Sequence, residues 1–402
     1  MRAIFVSAFL LLTAFVASAQ RMCLTDDRTV AGESTSMLNM RDTLSDEVIR
    51  IPVVIHILYN RPEHNISDAQ VISQINALNR DFRMANEDAS MIPAYFRNFA
   101  ADVRVEFCIA KVDPMGRNTN GIIRKQTSVS QFMGDDGMKF NGAGGSDAWD
   151  SRRYLNIWVC NMFGRALGYA TMPGTSPDRD GVVINWDVFG TTGNLRAPFT
   201  QGRTTTHEVA HWMGLKHIWG DAFCGSDDVD DTPQQESYNF YCPTFPRVSS
   251  CSPNGNGDMY MNFMDLTDDA CMLMFTHGQK RKMRGVFAAS GLRNNFLQSY
   301  ACDSTNASAE PLPAPAPAPE AISGSLKIYP NPVVDFVNVE AVQGFVAEGK
   351  VISMFDLYGR QIRKVKMNEG ITKIDCSNLS RGIYILKVGD GKSGEVFRIV
   401  KQ

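Results

Sequence analysis

The stretch THEVAHWMGLKHIWGD, Thr206 to Asp221, holds three of the chain's six histidines together with one glutamate and one helix-ending glycine. On an α-helix, residues four apart share a face, so the imidazoles of His207 and His211 can grip one ion between them. Glu208 stands one position off that pair, near enough to reach a bound water without taking a place on the metal. Gly214 suits the left-handed conformation that ends a helix, and the chain can then turn back to bring His217 in as a third ligand. Three neutral nitrogens and one open position describe a catalytic zinc site, whereas a structural site would be closed by a fourth protein ligand. Zinc lowers the pKa of its water to about 7, and Glu208 as general base would add roughly 10² to 10⁴ in rate. The reaction expected is peptide-bond cleavage. A bare H-E-x-x-H also arises in amphipathic helices with exposed histidines, but the extended H-E-x-x-H-x-x-G-x-x-H is far more specific, because each added position has its own mechanical task.

The rest of the chain sets the frame. Its 402 residues, 44% hydrophobic and 21% charged, are globular material for two or three domains. A formal net charge of -3, without any Lys/Arg-rich run, gives no indication of a nucleic-acid partner. Residues 1–19, MRAIFVSAFLLLTAFVASA, read as a secretory signal peptide: Arg2, an apolar run from Ala3 to Val16, and Ala17-Ser18-Ala19 for cleavage. That run is short for a membrane span, and no later segment reaches the length needed. Export makes the nine cysteines potential disulfide partners, and an odd count leaves at least one unpaired.

Residues 20–49 are polar, without a hydrophobic period, and read as a tail or propeptide. A main domain is expected over 50–302. It opens with the strand Ile51–Tyr59, followed by a helix that Ser67 can cap, with Gln70 at the capping-box position and Ile66 stapled onto Val71. Val71, Ile72, Ile75, Leu78 and Phe82 are expected on its buried face. Val103–Ala110, Tyr154–Cys160 and the segments GYATMPG and DGVVIN read as strands, and Asn120-Gly121 as a tight turn. The outline is α/β. Residues 303–325 alternate Pro and Ala as a stiff extended linker. Residues 326–402 alternate like the strands of a small β-sandwich.

HEVAHWMGLKHIWGD, DDVDDTP and YMNFMDLTDDACMLMFTHGQKRKM, with LNRDFRMANED, GGSDAWDSRRYLNIWV and DGVVINWDVFG, resemble the pappalysin family of metzincin metallopeptidases over roughly Ile51 to Cys302. The resemblance implies an α/β (α+β) metzincin fold: a twisted, mostly parallel sheet, the zinc helix as its floor, and an irregular lower subdomain after Gly214. It implies that Met264 is the Met-turn residue beneath the zinc, and that Cys224–Cys251 and Cys242–Cys271 are disulfides. It places Asp269 at the floor of the pocket for the residue after the scissile bond, where a carboxylate favours Arg or Lys. It also makes CGSDDVDDTP a calcium loop, with Asp228, Asp231 and Thr232 as ligands, since clustered oxygens suit that hard ion.

Two positions depart from the family. Leu266 stands where a tyrosine usually supplies a hydroxyl to the reaction intermediate, and losing one such donor costs roughly 10² to 10³ elsewhere. RMCLT, Arg21 to Thr25, is similar to the propeptide motif whose cysteine caps the zinc, with Leu24 replacing the usual Gly; Cys23 is thus the expected latency switch. The C-terminal segments IYPNPVVDFVNVE, DLYGRQI, LSRGIYILKV and FRIVKQ resemble the type IX secretion sorting domain, an Ig-like sandwich. That resemblance implies a Gram-negative bacterium, passage through the periplasm to the surface or medium, and the secretion machinery as partner. Protein or peptide substrates are the other partners expected. The competing reading, prompted by Leu266, is a non-catalytic surface binding protein that keeps a structural zinc. His56, His64 and His277 have no neighbours in sequence that complete a metal site and read as structural.

Overall fold

The run IRIPVVIHILY is apolar at nearly every position because it becomes a central strand buried on both faces. It forms β1 (Ile49–Tyr59), with Ile49, Ile51, Val53, Ile55 and Ile57 on one side, and Val54 and Leu58 on the other. The computed structural model describes residues 21–25, 47–164, 166–252, 255–299, 301–303, 326–341, 347, 349–355, 361–380, 382–389 and 394–401. The expected signal peptide, most of the expected propeptide and all of the expected linker but residue 303 lie outside them. The chain divides into two compact units, Met1–Pro311 and Leu312–Gln402.

In the first unit, β1 pairs in parallel along one edge with β2 (Val105–Ile109) and then β3 (Ile122–Gln126), and along the other with β4 (Leu155–Cys160). Beyond β4 lie β6 (Val182–Asn185), again parallel, and the edge strand β5 (Gly168–Ala170), the one antiparallel member. β3 was not expected. Its sequence, IIRKQ, carries too much charge for a buried strand and is less buried than β1 and β4.

Among the described residues three α-helices pack on this unit: α1 (Asp68–Phe82), α2 (Arg203–Trp212) and α3 (His277–Gly285). Ser67 caps α1 by accepting from the Gln70 N–H. The buried face differs from the expected one at Ile72, which is 50% exposed, while Gln70, Gln74 and Asp81 are buried. The reason is in their bonds. The Gln70 side-chain amide donates to the Phe189 carbonyl at 2.8 Å. Gln74 donates to the Gly202 carbonyl at 3.0 Å and accepts from the Gly190 N–H at 2.6 Å. These two amides hold the loop that delivers the chain to α2.

Three disulfides close the unit: Cys224–Cys251 and Cys242–Cys271 in the irregular region after α2, and Cys108–Cys302 between β2 and its last described residues. Cys23, Cys160 and Cys376 are free thiols. The second unit is all β: β7 (Leu326–Tyr329), β8 (Phe336–Ala341), β9 (Val351–Phe355), β10 (Gln361–Lys366), β11 (Ile371–Asp375), β12 (Gly382–Gly389) and β13 (Gly394–Lys401). Two antiparallel sheets, ordered β10-β9-β12-β13 and β11-β8-β7, share a core that includes Val337, Val339, Ile352, Met354, Leu386 and Val388. Among the described residues no helix is long and apolar enough to cross a membrane.

Candidate active site

α2 ends at Trp212, and Gly214 takes φ +90°, so the chain reverses and the Leu215 N–H closes on the Ala210 carbonyl at 3.1 Å. That reversal carries His217 back over the helix. The three imidazoles then face one another through Nε2, with His211 Nε2 at 3.1 Å from that of His207 and 3.2 Å from that of His217. Each Nδ1 is taken: by the Phe263 carbonyl at 2.7 Å, by the Leu215 carbonyl at 2.8 Å, and by Asp221 Oδ1 at 2.8 Å. A carbonyl can only accept, so Nδ1 carries the proton in His207 and His211, and their Nε2 lone pairs point inward. Burial pushes the pKa of both rings well below the usual histidine value, which keeps them neutral. Lone pairs converging at this distance repel unless a cation lies between them. The donor set therefore fits a metal ion, and Cys23 Sγ completes the same cluster.

The floor of the site comes from the segment holding Met264. The Phe263 carbonyl fixes His207, while the carbonyl of fully buried Met264 accepts from the Ile218 N–H at 3.2 Å, beside His217. Asp265 accepts from Gln235 and twice from Asn239, and so ties that segment to the lower loops. Leu266 is buried and offers only its backbone N–H, which is bonded to Asp265.

Residues 21–25 lie across the site, parallel to β5. The Leu24 N–H donates to the Gly168 carbonyl at 3.1 Å, and the Leu167 N–H donates to the Met22 carbonyl at 3.0 Å. Gly168 is required there: a Cβ would stand 2.8 Å from the Val183 carbonyl oxygen and 3.1 Å from Glu208 Cγ. Glu208 Oε2 accepts from the Thr25 hydroxyl at 2.9 Å and lies 3.4 Å from Cys23 Sγ. Burial raises the pKa of Glu208 to about 7, and burial together with Glu208 raises that of the Cys23 thiol. A cation among the nitrogens reverses both tendencies.

Sequence reasoning missed Arg21. Its guanidinium is buried on Asp269, with Nε donating to the Thr267 carbonyl at 3.1 Å, Nη1 donating to the Thr204 hydroxyl at 3.0 Å, and the group lying 5.0 Å from the Phe199 ring centre. The other Asp269 oxygen accepts from the Gln201 N–H at 2.8 Å, just before α2. The signal was present in RMCLT: alternate residues of an extended segment share a face, so an arginine two before Cys23 reaches wherever the cysteine's side of the cleft leads.

The acidic loop does not converge. Asp228 pairs with Lys216 at 2.6 Å, Asp231 accepts from the Thr276 hydroxyl and the Gly278 N–H, and Thr232 donates to Asp227. His56 is buried against Trp158, bonded to Ser146 and Asn156, its pKa lowered to about 4 by burial; it acts in packing.

Comparison with known proteins fits this geometry. Residues 142–288 match the family described as Pregnancy-associated plasma protein-A, and residues 327–402 match the secretion system C-terminal sorting domain. Mature mirolysin of Tannerella forsythia in complex with a cleaved peptide is 48% identical and superposes with a TM-score of 0.62 over 62% of this chain and 96% of that one. A promirolysin mutant from the same organism is 46% identical, with a TM-score of 0.64 over 66% and 88%. Extracellular metalloprotease 1 of Coccidioides posadasii is 40% identical over 141 residues, 33% of this chain and about half (49%) of that protein. The extracellular metalloprotease of Arthroderma benhamiae is 28% identical over 285 residues, 67% of this chain and 90% of that protein. Fold and site together define a secreted metallopeptidase of the metzincin fold. The chain belongs to the pappalysin family and carries a type IX secretion tail.

Proposed function

We propose that this protein is a zinc endopeptidase that cuts before Arg or Lys and is held latent by its own residues 21–25. The observation that carries the reading is the pairing of a three-imidazole centre with a buried Asp269 that already grips a guanidinium. Zinc bonds of about 2.0–2.1 Å in a tetrahedron set nitrogens about 3.3 Å apart, near the spacing of these rings. His207, His211 and His217 would hold the ion, which polarises the scissile carbonyl and acidifies water. Glu208 takes the proton of the attacking water and returns it to the departing amine nitrogen. Met264 supports the ring set from below. Calcium at Asp228, Asp231 and Thr232 rests on the oxygen-rich sequence alone, since each side chain already has a protein partner.

For a substrate, the residue after the cleaved bond enters the Asp269 pocket. Replacing Asp269 with asparagine removes a charged hydrogen bond worth about 1.5–3 kcal/mol, so kcat/KM toward Arg peptides should fall roughly 10- to 150-fold, while Leu peptides lose little. Kinetics on matched Arg and Leu peptides checks this; equal losses would refute the pocket's role.

The latency segment runs from the Asp269 pocket toward β5, opposite in direction to such a substrate, so its bonds are presented the wrong way round for cleavage. Thr25 and Cys23 also occupy the Glu208 carboxylate. Arg21→Ala and Cys23→Ser should each shorten the lag before self-activation by tenfold or more, read as activity against time in the purified precursor. An unchanged lag in both would remove the segment from the mechanism. The maturation cut belongs before Arg41 rather than Arg50. Ile49 is buried and registers with Val105 in the sheet, so cutting at Arg50 requires stripping β1 from β2.

Residues 1–19 serve as the export signal and 326–402 as the outer-membrane passport of a Gram-negative cell, joined through the linker 303–325. Deleting 326–402 should leave the protein in the periplasm, seen by fractionation; normal release would refute the assignment.

A further inference from the structure

The strand β5 is Gly168-Tyr169-Ala170, and among the described strands of its sheet it pairs with β6 alone. The latency segment takes groups along its outer edge: the Leu167 N–H, the Gly168 carbonyl and the Ala170 N–H, which donates to the Thr25 hydroxyl at 2.9 Å. So short an edge strand makes few ladder bonds, and its setting depends on side-chain anchors. Gly168 has no side chain and Ala170 a single carbon, which leaves Tyr169. Its ring enters the apolar cluster of Phe132, Met138, Trp158 and Val183, on the face opposite to the one Gly168 turns toward Glu208. The Tyr169 hydroxyl donates to Asp136 Oδ1 at 2.7 Å, and Lys139 Nζ meets the same oxygen at 2.8 Å. Lys139 has no exposed surface. Its ammonium donates to the Arg179 carbonyl at 2.8 Å and lies 4.9 and 5.4 Å from the ring centres of Tyr169 and Trp158. Burial and Asp136 hold the pKa of the Tyr169 hydroxyl well above its usual value, so it stays a donor. Burying an ammonium is costly unless it is paired, and here the pairing falls on Asp136 and Tyr169, which fasten β5 from behind.

We propose that Asp136 and Lys139 are positioning residues for substrate binding: acting through Tyr169, they hold the outer edge of β5 where it can hydrogen-bond a peptide backbone. The inference rests on the endopeptidase reading above. An extended substrate crossing the three histidines passes the same N–H and C=O groups that residues 22–25 now engage. A hydrogen bond weakens steeply as its length and angle depart from ideal, so a β5 free to tilt would still meet a peptide but grip it less. The bonds of Asp136 and Lys139 go to Tyr169, to each other and to Arg179, whose Nη1 stands 3.6 Å from Asp136 Oδ2. Their contribution therefore falls on binding and leaves proton transfer at Glu208 alone. It also grows with substrate length, because a peptide too short to lie along β5 has nothing to gain from a fixed edge.

The test compares the self-matured full chain with its Tyr169→Phe, Asp136→Asn and Lys139→Met variants on two substrates: an octapeptide with Arg at its fifth position, and a blocked Ala-Arg dipeptide amide. Tyr169→Phe and Lys139→Met should raise KM for the octapeptide roughly fivefold or more with kcat within about twofold, and leave kcat/KM for the dipeptide within about twofold, on the scale of a weakened hydrogen bond. Asp136→Asn keeps an acceptor for the Tyr169 hydroxyl and should fall between these variants and the unaltered chain. Tyr169→Phe keeps the ring among its apolar neighbours, so it tests the hydroxyl even if Lys139→Met does not fold. A variant that merely folded less well would lower kcat on both substrates in proportion, with KM unchanged. That result, or an octapeptide KM unmoved by both Tyr169→Phe and Asp136→Asn, overturns the positioning role and leaves the endopeptidase reading standing. Absence of any cleavage by the unaltered chain overturns both.

Discussion

Replacing Glu208 with alanine should leave the precursor uncut when it is expressed alone and lower peptide hydrolysis by about 10² to 10⁴, the range lost with a general base. The side chain sits one position from His207 on α2, and its Oε2 is the atom that Thr25 and Cys23 now engage. Its loss removes the proton acceptor without touching a nitrogen of the metal cluster, so metal content by mass spectrometry should stay at the level of the unaltered protein. That contrast separates a chemical role from a folding one. Sequencing the amino terminus of the stored protein supplies the second readout. If the alanine form matures at the same residue, with no other protease present, self-processing is disproved, whatever happens to the peptide assay.

The second large effect lies behind the helix. Arg293 forms a two-point ion pair with Asp180 at 2.6 and 2.9 Å, donates from Nε to the Trp212 carbonyl at 3.0 Å, and lies 3.8 Å from the Trp212 ring centre. Asp180 further accepts from the Trp212 indole N–H and from the Thr171 hydroxyl. Both charges are 5% exposed. Arg293→Ala strands the carboxylate in the interior, which costs about 3–5 kcal/mol. For a unit of this size, each kcal/mol moves Tm by about 2–4 °C, so melting should fall by roughly 6–20 °C. Replacing both partners, Asp180→Leu with Arg293→Met, should recover much of the loss, because the larger penalty belongs to the orphaned charge and not to the missing pair. A double variant as unstable as the single one would show that the bonds to Trp212 matter more than the ion pair. Calorimetry on the three proteins decides.

The legible features of this sequence are local ones. Spacings of four and six around Gly214 announce the three imidazoles, because helix geometry and one glycine turn are enough to bring them together. The apolar run of β1 and the alternating run after the Pro/Ala segment announce the two fold classes in the same way. What stayed hidden depends on long-range placement. Asp180 and Arg293 meet 113 residues apart, and no pattern near either points to the other. Cys108 and Cys302 pair because β2 and the end of the unit fall side by side, a matter of sheet register. Gln70 and Gln74 look like solvent residues until the loop they hold is in place, and Ile72 looks buried until they displace it. Arg21 was visible as a residue but not as a ligand, since its partner Asp269 lies 248 positions away.

The Cys108–Cys302 bond has a consequence for the lifetime of the molecule. It joins positions 194 apart and encloses α2, the three clustered histidines and Asp269 within one covalent ring. Under the proposed preference for cutting before Arg or Lys, a chain holding 40 such residues is its own most concentrated target. A single internal nick in a ring produces new ends but no second molecule. The cut strands remain tethered to the sheet and can re-pair, and loss of the tail beyond residue 302 leaves the closure intact. In a secreted enzyme that cannot be resynthesised where it works, the crosslink turns self-digestion from a one-hit failure into a process needing several hits.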